Sequence, residues 1–271
     1  MSHENRPDWQ LPPGVTRALW DYVHCPAIAD DYDVCFAENR LFKFDEQVVM
    51  REFEARGLGK GSLIADLGCG TGRALVLLAR RGFRGLAVDL SDRMLANVRR
   101  KICRDRLPIQ CLRANLVELD AIADDCVDGA LSLFSTLGMI RGRAYRQRAL
   151  EHACRILKPG AALVLHVHNY WYNLYDPGGP WWLLRNMLRA AVIRDIEAGD
   201  KFFDYHGIPN MFLHVFTLRE LVCALRRAGF RLCQIVPLDP RRHRALPWSW
   251  FLGRLRANGW ITVSEKRRSS G

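Results

Sequence analysis

Residues Leu63 to Gly72 read Leu-Ile-Ala-Asp-Leu-Gly-Cys-Gly-Thr-Gly, an apolar run that breaks into Asp66 and three alternating glycines. The run suits a buried strand. Gly68, Gly70 and Gly72 let the chain turn through conformations closed to residues with a Cβ, with a ligand resting directly on the main chain. Further on, Gly85-Leu-Ala-Val-Asp89 is another short apolar strand, ending in a carboxylate seventeen residues after Gly72. Together they predict a nucleoside cofactor under a strand-to-turn junction, because a carboxylate placed like Asp89 can accept both hydroxyls of a ribose.

Strands and helices then alternate. Ser91 is an N-cap for a helix reaching Ile102, with Met94, Leu95, Val98 and Ile102 at helical spacing. Ile109 to Leu116 reads as a third strand, Asp125 to Phe134 as a fourth with its lead-in, and Ala161 to Val167 as a fifth. Between the last two, Arg143 to Leu157 is helical and stops at Lys158-Pro-Gly160. Further on, Thr217 caps Leu218 to Ala228, Gly229 ends that helix, and Phe230 to Val236 and Trp260 to Ser264 are strands. The alternation predicts an α/β fold with a doubly wound, parallel sheet and right-handed crossovers, which binds ligands at the carboxyl ends of its strands.

The glycine spacing separates two cofactor classes. Dinucleotide-binding turns carry Gly-x-Gly-x-x-Gly, whereas this chain has Gly-x-Gly-x-Gly with Asp66 ahead of it, where a carboxylate would repel a pyrophosphate. The pairing of this turn with Asp89 resembles the class I S-adenosylmethionine-dependent methyltransferases. The resemblance covers Ser62 to Val167 and, through Lys158-Pro-Gly160 and Arg227-Ala-Gly-Phe230, Thr217 to Val263. It implies a mostly parallel, seven-stranded Rossmann-like sheet whose last strand is antiparallel, S-adenosylmethionine as cofactor and S-adenosylhomocysteine as product. It further implies that Gly68, Cys69, Gly70 and Gly72 cradle the methionine part, Asp66 its amino group and Asp89 the ribose, with Leu90 against the adenine. The family's Asp-plus-apolar pair at the end of the third strand is Asn115-Leu116 here, and the Asn side-chain oxygen can accept the same bond from the adenine amine. Ser135 and Thr136 fall where the family places backbone near the transferring methyl, and Tyr32 where an aromatic closes over the methionine end.

Four segments follow: residues 1–60 as a helical lid, 61–168 as the cofactor half of the sheet, 169–216 as an insertion, and 217–271 as the completion of the sheet. The N-terminal segment carries Tyr22, Tyr32, Phe36, Phe42 and Phe44. The insertion holds eleven aromatic residues and leaves from a strand's carboxyl end, so it is either an acceptor-site lid or an interface. Methyl transfer is an in-line displacement that needs a base only for some acceptors. His166 and His168, two apart on the fifth strand, share a face and are the candidate bases. His206 and His214 lack the carboxylates and spacing of a metal site, and no metal is expected.

Net charge bears on the acceptor. The chain is 271 residues long with a formal charge of +11, carried mainly by arginine, and no run suits a membrane helix or a signal peptide. Nine scattered cysteines without a Cys-x-x-Cys pair suit a reducing, cytoplasmic setting. A small-molecule acceptor, methylated on oxygen or nitrogen, is the leading expectation. Leu213 to Leu221 resembles a stretch of the tRNA wobble-uridine carboxymethyl-ester methyltransferases, which would make RNA the acceptor. The basic, tryptophan-bearing run Arg241 to Arg256 would suit RNA, a peripheral contact with an anionic membrane and a lipid-like acceptor, or a solvated loop.

Overall fold

The computed structural model describes residues 6–25, 28 and 40–268. Tyr32 and Phe36 lie outside the described residues, and the side chain of Phe42 is likewise not described. Nine strands are assigned among the described residues: β1 Leu63–Leu67, β2 Arg84–Asp89, β3 Ile109–Arg113, β4 Val127–Ser132, β5 Leu157–His168, β6 Asp200–Tyr205, β7 Ile208–His214, β8 Phe230–Pro237 and β9 Gly259–Lys266. Seven form one sheet ordered β3-β2-β1-β4-β5-β9-β8, and β6 and β7 form a separate hairpin. β1 to β5 are parallel neighbours, whereas β9 runs antiparallel to both β5 and β8. This is the mostly parallel sheet with an antiparallel last strand that the resemblance implies.

The helices are α1 Arg17–His24, α2 Arg40–Glu54, α3 Arg73–Arg80, α4 Asp92–Asp105, α5 Arg143–Ile156, α6 Gly179–Val192, α7 Leu218–Arg227 and the single turn α8 Gly253–Arg256. Side-chain alternation along β1 divides them into two layers. Ile64 packs with Val48 and Phe53 of α2, Leu75 of α3 and Leu95 of α4, while Ala65 and Leu67 pack with Leu150 of α5 and Leu221 of α7. Helix starts follow the expected chemistry: the Ser91 hydroxyl accepts from the Met94 N–H, and that of Thr217 from the Glu220 N–H.

Three boundaries differ from expectation. The third strand ends at Arg113, because the Asn115 side chain accepts from the Val117 N–H and turns the chain there. α5 runs straight into β5, so Lys158-Pro-Gly160 opens the strand instead of forming a break; a register shift against β4 accommodates Pro159, which has no N–H to give. The insertion contains a 3-10 turn at Tyr170–Tyr175, then α6 and the hairpin. Both of its ends are tied to the end of β5: the Tyr170 N–H donates to the Phe216 carbonyl and the Phe216 N–H to the His168 carbonyl, each at 2.9 Å.

Candidate active site

The glycine turn stands at the carboxyl end of β1, in register with the ends of β2 and β4. Gly68 and Cys69 donate their N–H groups to the Val88 carbonyl, and Gly70 donates to Asp89 Oδ2 at 2.8 Å. The other Asp89 oxygen accepts from the Ser91 N–H at 2.8 Å, so this carboxylate braces the turn while still lining the cavity beside it. The glycines differ in their surroundings. A Cβ on Gly68, at φ +81°, would strike Thr136 Cγ2 at 2.2 Å, and one on Gly72 would strike Val98, whereas one on Gly70, at φ +53°, meets nothing within 4 Å. Gly70 therefore presents bare main chain to a ligand. Asp66 is buried beside it, and burial, reinforced by the nearby Asp89 carboxylate and opposed by Arg73, pushes its pKa up to about 8. Two carboxylates over an open stretch of main chain suit a ligand bearing a cationic amine and a diol, as the aminoacyl and ribose parts of S-adenosylmethionine do.

The cavity, of about 570 Å³, continues from this turn across the ends of β4 and β5. Its roof has two sources. α1 contributes Leu19, Tyr22 and Val23 and is fastened by the Ser91 hydroxyl, which donates to the Val23 carbonyl. The β6–β7 hairpin contributes Phe203, Tyr205, His206, Met211, Phe212 and Leu213, and its Tyr205 ring meets Tyr22 at 6.0 Å. From the loop after β8, Arg242 enters the same space, over the Phe134 ring. Its Nη1 donates to His168 Nε2 at 3.0 Å, and no carboxylate pairs with it among the described residues. Burial holds both groups below their ordinary pKa values, His168 well below, with His166 and Arg242 adding to the effect on the imidazole. His168 is thus a neutral ring whose Nε2 lone pair is engaged, leaving the proton on Nδ1.

A family model described as a methyltransferase domain matches residues 64–160, the stretch from the glycine turn to the start of β5. The chain is 29% identical over 126 residues to a Geobacillus protein named as a methyltransferase, covering 46% of this chain and 49% of that one. It is also 29% identical over 191 residues to YqeM of Bacillus subtilis, likewise named as a methyltransferase, covering 64% and 74%. Among solved structures, the 1,6-didemethyltoxoflavin N1-methyltransferase of Burkholderia thailandensis, with didemethyltoxoflavin and S-adenosylhomocysteine bound, shares the fold. Its TM-score is 0.58 at 17% identity, over 89% of this chain and 85% of that one. The chain thus carries a methyltransferase domain on the fold of the class I S-adenosylmethionine-dependent methyltransferases. It spans about half the length of the Geobacillus relative.

In this methyltransferase Asp66, Gly68, Cys69, Gly70, Asp89, Leu90, Asn115, Leu116, Ser135 and Thr136 all line one cavity. Gly72 and His166 do not. Gly72 caps α3 with its back to Val98, and His166 is buried behind the cavity with Nδ1 at 2.7 Å from Asp45 Oδ2, which removes it from contact with an acceptor. His168 reaches the cavity, but as a neutral acceptor for Arg242 and without the free lone pair of a base. Asn115 also braces the roof, since its amide nitrogen donates to the Pro13 carbonyl at 2.9 Å and holds the Gly14–Val15 segment over the site, which an Asp could not do. His206 and His214 are separated, His206 lining the cavity and His214 buried between Asp200 and Glu220. Of the insertion's aromatics, Phe203, Tyr205 and Phe212 line the cavity, and all three are on the hairpin. Sequence reasoning misses Arg242, which falls inside the basic run Arg241 to Arg256. It misses the hairpin too, although His206-Gly207, with φ +46° and +79° between paired Tyr205 and Ile208, has the two-residue turn pattern.

Proposed function

We propose that this methyltransferase acts on an oxygen or nitrogen of a small-molecule acceptor that joins a flat apolar body to an anionic group. The observation that carries this reading is Arg242, a guanidinium half-buried in a cavity roofed by aromatic and aliphatic side chains, with a neutral imidazole as its hydrogen-bond partner and, among the described residues, no carboxylate in ion-pair contact, Asp45 acting on it only from a distance. A charge in such surroundings is stabilised when a ligand brings the opposite charge. The bound cofactor supplies a methyl group on a positively charged sulfonium, already activated for in-line attack. Asp66 would meet the amino group, Asp89 the ribose and Gly70 the chain between them. Phe203, Met211, Phe212 and Leu213 exclude water, and His168 holds the Arg242 guanidinium in place by accepting from it. An amine or an ionised oxygen then needs no proton removed by the protein. Where the acceptor does need a base, His206 is the cavity imidazole whose ring nitrogens make no hydrogen bond among the described residues.

The stretch Leu213 to Leu221, which suggested RNA, has structural work of its own: Leu213 roofs the cavity, His214 is locked between carboxylates and Thr217 caps α7. The test is a panel of aromatic carboxylates, phenols and amines, together with bulk tRNA, assayed for S-adenosylhomocysteine formation. With the best anionic acceptor, Arg242→Gln lowers kcat/KM by roughly 100-fold and leaves cofactor affinity unchanged, as expected when one charged hydrogen bond is lost. Methylation of tRNA with no turnover of any small acceptor, or an unchanged kcat/KM in Arg242→Gln, overturns the reading.

A further inference from the structure

We infer that the chain docks on an anionic bilayer surface through a face built by α6, the Tyr170–Tyr175 turn and the loop Trp248–Leu252. α6 is turned the wrong way for an ordinary surface helix. Leu183 and Asn186 pack inward, whereas Trp181, Leu184, Leu188 and Val192, spaced to form one stripe, point to solvent on the opposite side. Trp181 is 66% exposed and Val192 82%. The second patch is the loop before α8, where Trp248 is 74% and Trp250 83% exposed, with Phe251 and Leu252 beside them.

The two patches belong to one region. α8 and α6 both pack against the Tyr170–Tyr175 turn, whose Leu174 and Tyr175 are also exposed, and the Asn169 side chain donates to the Arg254 and Ala257 carbonyls at 2.8 and 2.7 Å. The loop is firmly held. Leu238 pairs with Ala245, the Leu246 N–H donates to the Pro237 carbonyl, and the Arg256 guanidinium donates to the Trp248 and Phe251 carbonyls. Trp248 and Leu252 adopt left-handed backbone conformations, φ +50° and +49°, which bulky side chains avoid unless their surroundings impose them. The aromatic tips are thus fixed in an outward position.

Charge selects the occupant. Residues 177–194 and 240–256 contain no Asp or Glu, and Arg185, Arg189, Arg194, Arg241, Arg244 and Arg254 stand exposed around the apolar side chains. Tryptophan, phenylalanine and leucine tips beside a surplus of arginine match the interface of a bilayer carrying anionic headgroups; of the flanking acids, Asp176 is paired with Lys201 and Asp239 with Arg244, and Asp195 stands exposed. A second copy would set these arginines against each other, and a purely apolar partner would leave them without counter-charge. Among the described residues no helix is long and apolar enough to cross a membrane, so the contact is peripheral.

The test is sedimentation of the full chain with vesicles of phosphatidylcholine alone and of phosphatidylcholine containing about one third phosphatidylglycerol. The wild-type chain pellets with the anionic vesicles and is partly released by salt. The double variants Trp248→Ser/Trp250→Ser and Leu184→Ser/Leu188→Ser each partition at least about ten-fold more weakly. Melting temperature and S-adenosylhomocysteine affinity, both unchanged, show that the variants are folded. Absence of pelleting with anionic vesicles, or equal pelleting of wild type and variants, overturns the inference. So does a stable dimer, or a complex with bulk tRNA, that the same substitutions abolish while vesicles are not bound.

Discussion

At the scale of single residues, the two glycines that look equivalent in the sequence do different work. Gly68 faces Thr136 and Gly70 faces open space, so Gly68→Ala disturbs the turn itself, whereas Gly70→Ala leaves the protein folded, with about 1 kcal/mol of backbone strain, and fills the ligand's place. Thermal melting alongside cofactor titration separates the two: a large fall in Tm for the first, and loss of cofactor affinity at nearly wild-type Tm for the second. Asp66 makes a second prediction. With its pKa raised to about 8 by burial and by Asp89, it is largely protonated at neutral pH in the ligand-free protein, and a cationic amine drives it to ionise. Cofactor binding near pH 7 therefore releases close to one proton, read as a dependence of the calorimetric enthalpy on the ionisation enthalpy of the buffer. Asp66→Asn removes that dependence. These residues were legible because the turn, its acid and the second strand's acid are close in sequence. Arg242 was not, since nothing in Arg241-Arg-His-Arg244 marks which side chain turns inward; that depends on the loop's anchorage to Leu238 and on a left-handed backbone at Arg242 itself.

At the scale of elements, the hairpin roof rests on a buried charge cluster. His214 at the end of β7 shares its ring with Asp200 Oδ1 of β6 at 2.8 Å and Glu220 Oε1 of α7 at 2.9 Å, and Arg146 of α5 reaches Glu197 at 2.8 Å and Glu220 at 3.8 Å. Burial lowers the His214 pKa, but the two carboxylates outweigh it and the net shift is upward; for Asp200 burial raises the pKa, but the imidazole, the Glu197 N–H and Arg146 together outweigh it and the net shift is downward. A raised imidazole pKa adds stability that is complete below the ordinary 6.5 and lost as pH climbs through the raised value. A lowered carboxyl pKa adds stability that is present above the ordinary 3.8 and lost as pH falls through the lowered value. The pair's contribution is accordingly greatest between those two values. His214→Leu leaves Asp200 buried without its partner and is expected to cost about 3 kcal/mol, or roughly 10 °C in Tm, with the loss larger at pH 6 than at pH 9. The cluster was not readable in advance, because its members come from α5, the segment before β6, the β6–β7 hairpin and α7, which only the fold brings together; the strands and caps were readable because their signals are local. The insertion showed its aromatic excess but not its division of labour, for composition does not say which rings face a cavity and which face water.

For the whole molecule, the alternation of strand and helix was enough to define the parallel half of the sheet, whereas the antiparallel position of β9 came through resemblance. Among the described residues β9 is the sole neighbour of β8 and the second neighbour of β5, and it carries the fully buried Trp260. A chain stopped after Asn258 therefore leaves β8 with no partner strand and β5 with an open, apolar edge, and it is expected in the insoluble fraction on expression while the full chain remains in solution. The same arrangement has a consequence for how the protein is made. β5 is complete at residue 168, yet the strand that covers its free edge begins at residue 259, about ninety residues later. At ribosomal speeds that interval lasts roughly 5 to 20 s, during which a buried strand of the finished enzyme is an exposed template for pairing. The nascent chain, more than the folded protein, is the species that needs a chaperone's protection.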